Sequence, residues 1–483
     1  MPSRPGLLPT ALLLGSAIYI LYFEGLAATG LVGPDEPRYA SIGREIARSG
    51  DWITPRLWGE PWFEKPVLLY WMIAAATRAG PDAELAARLP VAMLAVAFLG
   101  FFYWRLRVEF EARAAAYAAA ILATSAGWLG VSRVAITDLP LAAFLSAGLL
   151  LALGWLRGGD GRLLPWASAL LGLAILAKGL LPFVFVLPLI WCGRRRLTDL
   201  LRPRVWLPCL AVAAPWYVLC YSRNGWPFIQ EFFVEHHFGR FASAELQHVQ
   251  PFWFYLPVIL AALFPWTAAL APAARIRFRG DPRRVFLLLW VMWGLIFLSA
   301  ARNKLPGYVL PLLPPLAALG GIALAEARSI RWVAVGAPLL LCLVAPLASV
   351  LPQALAGGLS RAQWPGFQWA WTTPALAALP LLYLEARQRR AAAVAVLAAA
   401  TVVQVVWLKA AALPAIEELV SARPLWRQIA ARRDEVCVES MHRSWRYGLN
   451  YYSVTPLPDC DAEPRAVRIT QEDSSRPVVR MPE

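Results

Sequence analysis

The chain has 483 residues, of which 59% are hydrophobic and only 16% are charged. Soluble domains are about 45 to 50% apolar and about 25% charged, so this composition excludes a set of water-soluble domains. Lysine and arginine outnumber aspartate and glutamate by 46 to 31. The arginines stand in short clusters between apolar runs, which is typical of cytoplasmic loops rather than of a nucleic-acid-binding surface. The composition therefore predicts an all-α polytopic membrane protein that binds no nucleic acid.

Thirteen apolar runs predict membrane-spanning helices, because about 20 apolar residues cross a bilayer. They cover residues 7–28, 86–105, 113–130, 138–156, 164–178, 179–192, 205–221, 251–273, 285–301, 305–325, 332–351, 368–385 and 392–410. The first run has the length of a span rather than of the core of a cleaved signal peptide. The run 67–77 is too short to cross and predicts an interfacial helix.

The arginine clusters predict the orientation. With the amino terminus inside, every loop predicted to be cytoplasmic is basic, as in 105–113, 194–204 and 275–284. Counting 67–77 as a span would move these clusters outside, so the positive-inside rule argues against it. The outer face then carries the loop 29–85, the loop 222–250 and the tail from residue 411.

The chain divides into a predicted transmembrane domain over residues 1–410, with the outer loop 29–85, and a predicted small extracytoplasmic α/β domain over residues 411–483. The tail mixes valine and tyrosine with proline and aspartate, which is typical of short strands and helices. Cys437 and Cys460 both lie in this tail. We predict that they form a disulfide, which an oxidising compartment permits.

The outer loop 29–85 carries most of the polar chemistry. Asp35 and Glu36 directly follow the first span, so at least one carboxylate is expected near the interface, where a low dielectric strengthens its contacts. The alternative is that Asp35 caps a helix over residues 37–49. Composition by itself favours this alternative.

Three further outer segments hold polar groups. Asp138 opens a span on the outer face, where it is either a helix cap or a second functional acid. His236 and His237 are adjacent, but a metal site needs more ligands than two neighbouring histidines. Lys304 stands at the entrance of another span, where cations usually extend toward the interface. Together these groups suit an anionic lipid headgroup and a reaction that needs a carboxylate.

A membrane transporter or lipid flippase is the competing class, because it would also be polytopic with charged outer loops. Such a protein is expected to carry ionisable residues near the midplane and repeated halves. Lys178 is the clear cation inside an apolar run, at its predicted outer end, and no internal repeat is detectable in the sequence.

Several ordered motifs run through the outer segments. They occupy residues 35–40, 50–55, 63–66 with 69–71, 132–138, 236–241, and 304–308 with Pro311. In this order they resemble the GT-C membrane glycosyltransferases related to the lipid A aminoarabinose (4-amino-4-deoxy-L-arabinose) transferases and, more remotely, the protein O-mannosyltransferases. The resemblance covers about residues 7 to 410. It implies a GT-C fold and transfer of a sugar from an undecaprenyl or other polyprenyl monophosphate carrier.

The resemblance also implies roles for single residues. Asp35 matches the principal catalytic acid and Asp138 the second acid of the site. Lys65 matches the residue that holds the carrier phosphate. The residues expected to bind substrate beside it are Arg38, Glu64, Arg240, Lys304 and Tyr308. No cofactor is expected to be required, although a divalent metal held by Glu64 with His236 or His237 is an open alternative.

The function implied is a polyprenyl-phosphate-sugar-dependent glycosyltransferase. Its expected partners are the lipid-linked sugar donor, an envelope acceptor such as lipid A or another glycan or protein, and the membrane lipids. Its expected location is the bacterial inner membrane, with the site facing the periplasm. The tail is shorter than in the aminoarabinose transferases, so the acceptor stays open.

Overall fold

The structure is a computed structural model that describes residues 7–239, 249–278, 280–472 and 476–481, without the side chains of residue 7 and residues 236–239. Over these ranges the chain is mostly helical. The α-helices are Leu7–Ile18, Asp35–Ser49, Leu68–Arg78, Ala83–Glu109, Ala112–Thr124, Ala126–Val131, Asp138–Leu151, Leu153–Leu156, Leu164–Lys178, Leu181–Cys192, Leu197–Leu200, Pro203–Asn224, Trp226–Ile229, Tyr255–Ala262, Leu270–Ala273, Pro282–Ala300, Leu313–Glu326, Arg331–Leu341, Val344–Gly357, Ala378–Ala386, Arg390–Val420, Arg423–Ile429 and Arg443–Ser453.

Tighter and wider helical turns extend several of these helices. The 3-10 segments are Arg194–Arg196, Phe252–Phe254, Trp266–Ala269, Pro306–Leu312, Leu359–Arg361, Trp369–Ala377 and Ala430–Glu435, and the π segments are Tyr19–Phe23 and Gln230–Gly239. The strands are Arg56–Leu57, Glu60–Pro61, Val436–Ser440, Val467–Thr470 and Val478–Arg480.

All thirteen predicted spans are helical. In the part of the chain that the structure describes, six helices are long and apolar enough to cross a membrane, or up to eight if two bent pairs each count as one span. Four shorter apolar helices occupy four more predicted spans. The last, 368–385, holds Trp369–Ala377 and Ala378–Ala386. The all-α fold class is confirmed, whereas the number of thirteen membrane crossings stays a prediction.

Small residues let the helices approach closely, which is how apolar helices associate in lipid. A Cβ atom on Gly172 would lie 2.8 Å from the carbonyl oxygen of Cys209 and 2.9 Å from Val212. Leu164–Lys178 is therefore packed tightly against Pro203–Asn224.

The helix Ala83–Glu109 defines the two ends of the bundle. Its Arg88 contacts Glu36 near the start of the helix, whereas Glu109 at its end contacts Arg283. At about 1.5 Å per residue, its 27 residues span about 40 Å, the thickness of a bilayer with its headgroups. The motifs around Asp35 and the basic loop containing Arg283 thus lie at opposite ends.

The outer loop folds against the first of these ends. The helix Leu68–Arg78 has only 11 residues and packs on Asp35–Ser49 and Ala83–Glu109. A Cβ on Gly43 would overlap Ile73, so the two loop helices are in direct contact. The length of Leu68–Arg78 agrees with the prediction that it does not span.

The carboxyl-terminal tail has a hydrophobic core of its own. Val436–Ser440 pairs in parallel with Val467–Thr470, which pairs antiparallel with Val478–Arg480. The buried side chains of this core include Leu425, Trp445 and Leu449. The predicted small α/β unit is thus present. Its proposed boundary at residue 410 stays a prediction, because Arg390–Val420 continues through it.

A disulfide joins Cys437 and Cys460, whose Cα atoms are 4.9 Å apart. The predicted pairing is confirmed. It holds the first strand of the tail to the segment that precedes Val467–Thr470.

The tail is anchored to the beginning of the outer loop. The Gly30 N–H donates to the Glu417 carboxylate at 2.7 Å, and the Leu31 N–H donates to the Tyr452 hydroxyl at 3.3 Å. Arg423 donates to the carbonyl oxygens of residues 27 and 28. The loop that leads to Asp35 is therefore held by residues about 400 positions later.

Candidate active site

Asp35 is the first residue of the helix Asp35–Ser49, two residues earlier than predicted. The residue at the cap position, Pro34, makes no side-chain capping hydrogen bond. The Asp35 carboxylate instead pairs with the Arg38 guanidinium one turn later, and 44% of its side chain is exposed. The capping alternative for Asp35 is therefore wrong, and the carboxylate stands at the surface of this end of the bundle.

A chain of alternating charges runs from Asp35 into the protein. The second branch of the Arg38 guanidinium lies 2.7 Å from Glu64 Oε2, and Lys65 Nζ lies 3.3 Å from Glu64 Oε1. Burial by itself would lower the pKa of Arg38, but the Glu64 carboxylate, with smaller contributions from Tyr39 and Asp35, raises it overall. The structure thus brings four predicted site residues together.

Aromatic rings surround the Arg38 guanidinium. Its Cζ lies 5.4 Å from the ring centroids of Tyr39, Trp62 and Tyr447. Such stacking stabilises a desolvated cation. Tyr447 belongs to the tail helix Arg443–Ser453, so the tail contributes directly to the site, which the sequence did not predict.

The hairpin Arg56–Leu57 and Glu60–Pro61 turns at Trp58 and Gly59, which have φ values of +56° and +89°. Positive φ at both positions is typical of a tight hairpin turn, but a bulky residue rarely adopts it. The turn brings the Trp58 ring within 5.7 Å of the Tyr447 ring. The strained backbone therefore places the Trp58 ring against Tyr447, one of the rings around Arg38.

Asp138 opens the helix Asp138–Leu151 and is paired with a cation from another helix. Lys178 Nζ donates to Asp138 Oδ1 at 2.7 Å and lies 4.4 Å from the Tyr308 ring centroid. The cap position, Thr137, makes no side-chain capping hydrogen bond, so the capping alternative is wrong here too.

Glu36 links the segments that carry these acids. It is fully buried, accepts hydrogen bonds from Arg88 at 2.7 Å, and accepts the Ala135 N–H at 2.9 Å. The Val32 N–H donates to the same carboxylate at 2.8 Å. Glu36 therefore fixes the loop before Asp35 against the loop before Asp138.

Asp51 has a local structural role in the same outer loop. It accepts the backbone N–H groups of Ile53 and Thr54 at 3.1 and 3.2 Å, and Arg223 pairs with it at 2.7 Å. Burial by itself would raise its pKa, but these donors lower it overall. Asp51 therefore shapes a turn outside the cluster around Asp35.

Lys304 occupies a different position from the other predicted site cations. It is buried, and its ammonium donates to the carbonyl oxygens of Gln250 at 2.9 Å and Ala301 at 2.5 Å. Within the described ranges, no hydrogen bond or ion pair joins it to Asp35 or Asp138. These contacts tie the outer segment at 250 to the entrance of the following helix.

The structure describes the remaining predicted site residues only in part. Arg240 lies outside the described residues. His236 and His237 lie on the backbone of Gln230–Gly239, but their side chains are not described.

The metal alternative rests on Glu64 as a ligand. In the described part of the chain, no group of three His, Cys, Asp or Glu side chains is arranged to hold a metal ion. Both Glu64 oxygens already face cations, Arg38 and Lys65. A metal ion at Glu64 would have to displace one of these contacts. The metal alternative stays a prediction, because the side chains of His236 and His237 lie outside the described residues.

The chain is similar in sequence to known glycosyltransferases. The family model for dolichyl-phosphate-mannose-protein mannosyltransferase matches residues 8–220. The undecaprenyl phosphate-alpha-4-amino-4-deoxy-L-arabinose arabinosyl transferase 2 of Pseudomonas fluorescens is 36% identical over 337 residues, which are 65% of this chain and 57% of that protein. A Pseudomonas aeruginosa transferase of the same activity name is 35% identical over 335 residues, 66% and 60% of the two chains. The alignments thus span less than two thirds of these relatives.

Two solved structures share the fold. The crystal structure of ArnT from Cupriavidus metallidurans bound to undecaprenyl phosphate has a TM-score of 0.75 at 24% identity and covers 98% of both chains. The Archaeoglobus fulgidus oligosaccharyltransferase AglB has a TM-score of 0.50 at 13% identity and covers 94% of this chain and 64% of that one. The GT-C fold and the predicted resemblance are confirmed.

Proposed function

From the GT-C fold and the resemblance to the aminoarabinose transferases, we propose that this chain is a glycosyltransferase. It takes a sugar from a polyprenyl monophosphate carrier, undecaprenyl phosphate, and transfers it to an envelope acceptor such as lipid A. The observation that carries the proposal is a pair of charged groups, Asp35 with Arg38 and Lys65 near it and Asp138 with Lys178. Glu36 joins the loops that lead to the two acids. Carboxylates and cations at one membrane boundary suit a phosphate leaving group and an incoming nucleophile.

The reaction is a single displacement at the anomeric carbon of the sugar. The acceptor oxygen forms a bond to this carbon. At the same time the bond between the carbon and the phosphate oxygen of the carrier breaks, and the phosphate leaves with the electron pair. If the acceptor is a hydroxyl, Asp35 takes its proton. If the acceptor is a phosphate, no proton moves and Asp35 positions it or the sugar. Arg38 fixes the orientation of the Asp35 carboxylate through its ion pair.

The leaving phosphate needs charge stabilisation more than protonation. Lys65, assisted by Arg240, supplies it in a site where a low dielectric strengthens the attraction. Glu64 holds Lys65 in place at 3.3 Å. Asp138 and Lys178 form a second charged pair, with Tyr308 beside the Lys178 ammonium.

The site is expected to face the periplasm from a bacterial inner membrane. The basic loops, which the positive-inside rule assigns to the cytoplasm, lie at the end of the bundle opposite to Asp35. In a variant without free thiols, a cysteine introduced at Arg195 should resist an impermeant thiol reagent in intact cells, whereas one at Glu60 should react. Labelling of the cysteine at position 195 but not of the one at position 60 would show that the orientation is the opposite of the proposed one.

Sugar transfer by the purified protein tests the function. Wild-type protein should form a glycosidic product from a polyprenyl-phosphate sugar and lipid A. Asp35→Asn should lower the rate by about 10²- to 10⁴-fold, the range for loss of a general acid or base, while the unfolding temperature stays close to that of wild type. Asp51→Asn, in the same outer loop, is the matched control and should transfer normally.

Two results would contradict the proposal. Normal transfer by folded Asp35→Asn would remove this carboxylate from the mechanism. Movement of lipid-linked sugar between leaflets without any glycosidic product would favour a flippase.

A further inference from the structure

A cavity of about 930 Å³ opens at the end of the bundle opposite to the candidate active site. It lies between the segment 271–277, the end of the helix Leu313–Glu326 and the segment that leads into Arg331–Leu341. Arg284 pairs with Glu326 of the cavity wall, and the neighbouring Arg283 contacts Glu109 at the far end of Ala83–Glu109. A membrane helix therefore separates this cavity from Asp35.

The cavity wall is strongly basic. Four exposed arginines line it: Arg275, Arg277, Arg328 and Arg331. Among the described residues, none of these four guanidinium groups forms an ion pair with a carboxylate. The acid in the wall, Glu326, already accepts from Arg284 at 2.9 Å. The cavity therefore presents an uncompensated positive charge, which suits a phosphate group.

An apolar strip leads away from the cavity along the outside of the bundle. Trp332 forms part of the cavity wall and is 74% exposed. Val335 and Leu339 follow on the same helix, with Leu343 just beyond it, and all are exposed. Spacings of three and four residues place these side chains on one helix face. A phosphate in the cavity would thus be continuous with a surface that suits acyl chains.

We propose that this cavity binds the headgroup of an anionic phospholipid of the cytoplasmic leaflet, with the acyl chains along the strip from Trp332 to Leu343. Basic pockets between membrane helices on the cytoplasmic side are suited to such headgroups. The positive-inside rule explains why arginines stand in these loops. It does not require them to enclose a cavity or to adjoin an apolar strip.

Lipid binding to the detergent-solubilised full chain tests the proposal. In native mass spectrometry, wild-type protein should retain phosphatidylglycerol more tightly than phosphatidylcholine. Replacing Arg275 and Arg331 together by glutamine should weaken phosphatidylglycerol binding about 25-fold, at about fivefold for each arginine near an anionic headgroup. The double change Arg275→Lys with Arg331→Lys should retain most of the binding, because the charge is kept.

The matched control removes the same charge from another basic loop. Arg195 and Arg204 are exposed and, within the described chain, have no carboxylate partner. Their joint replacement by glutamine should leave phosphatidylglycerol binding within about twofold. Equal losses in the two double variants would overturn the proposal, because net charge would then explain the binding.

A second experiment distinguishes between a lipid and a soluble anion as the occupant of the cavity. Inorganic phosphate or glycerol phosphate, added at the concentration of bound lipid, should not displace phosphatidylglycerol. Displacement by either would overturn the lipid assignment and identify the cavity as a site for a soluble phosphate. Trp332→Ala should weaken phosphatidylglycerol binding without creating such competition, and unchanged binding would contradict the acyl-chain path.

Discussion

The ammonium of Lys178 lies 2.7 Å from a carboxylate oxygen of Asp138, although 40 positions separate the two residues. Each side chain is only 14% exposed. Removal of one partner leaves the other charge without its main contact, which costs about 2 kcal/mol for a charged hydrogen bond. The pair therefore ties the end of one apolar helix to the beginning of another.

We predict that Asp138→Asn and Lys178→Met each lower sugar transfer, and that the double variant loses less than the product of the two effects. The physical reason is that the second change removes a charge that the first has already left unpaired. Transfer rates and unfolding temperatures of all four proteins form the measurement. Strictly multiplicative effects on the rate would mean that the pair does not act as one unit.

Lys65 and Lys304 should respond differently to replacement by alanine. Lys65→Ala should raise the KM for the lipid-linked donor about 10- to 100-fold, because a charge-assisted contact contributes about 1.5 to 3 kcal/mol. Lys304→Ala should mainly lower the unfolding temperature, because it leaves the Gln250 and Ala301 carbonyl oxygens without their donor. The measurement is donor titration beside thermal unfolding. A stable Lys304→Ala protein with weakened donor use would place the phosphate site at Lys304.

Glu36→Gln should destabilise the protein by about 3 to 5 kcal/mol, the usual cost of breaking a buried ion pair from one side. The change leaves Arg88 charged and buried, and the amide keeps only one acceptor oxygen, so either the Ala135 N–H or the Val32 N–H loses its acceptor. Denaturant unfolding in detergent measures the effect. Glu60→Gln, an exposed change in the same outer loop, should stay within about 0.5 kcal/mol. Similar stability of the two variants would exclude Glu36 as the link between the two loops.

Trp58→Asn separates backbone strain from function. Asparagine tolerates the left-handed conformation better than tryptophan, so the variant should be as stable as wild type or more stable. Loss of the ring contact with Tyr447 should nevertheless reduce transfer about two- to tenfold, the range for an aromatic pair. Initial transfer rates and thermal unfolding, measured on one preparation, give the activity and the stability of the variant. A more stable variant with full activity would show that the ring has no part in transfer.

The membrane helices could be predicted from the sequence because their signal is local. A run such as 86–105 needs only its own apolar residues to be recognised, and the structure places the helix Ala83–Glu109 there. The acids Asp35 and Asp138 were also recognisable, since each directly borders an apolar run.

The partners of these acids could not be predicted in the same way. Lys178 was visible as a cation in an apolar run, but its pairing with Asp138 depends on how two helices pack. Glu36 looked equivalent to Asp35, and only the fold sends one carboxylate to the surface and buries the other with Arg88. Tyr447 carried no signal at all, because its contact with Arg38 joins segments about 400 positions apart in the sequence.

The anchoring of residues 27–31 by the tail has a consequence for biosynthesis. A ribosome produces the amino-terminal segment first, yet Gly30 and Leu31 find their partners only when Glu417 and Tyr452 have been made. The loop before Asp35 therefore lacks these partners until residue 452 has been translated. A nascent or prematurely terminated chain without Glu417 and Tyr452 cannot form this anchor, so the segment that leads to Asp35 reaches its final position only late in synthesis.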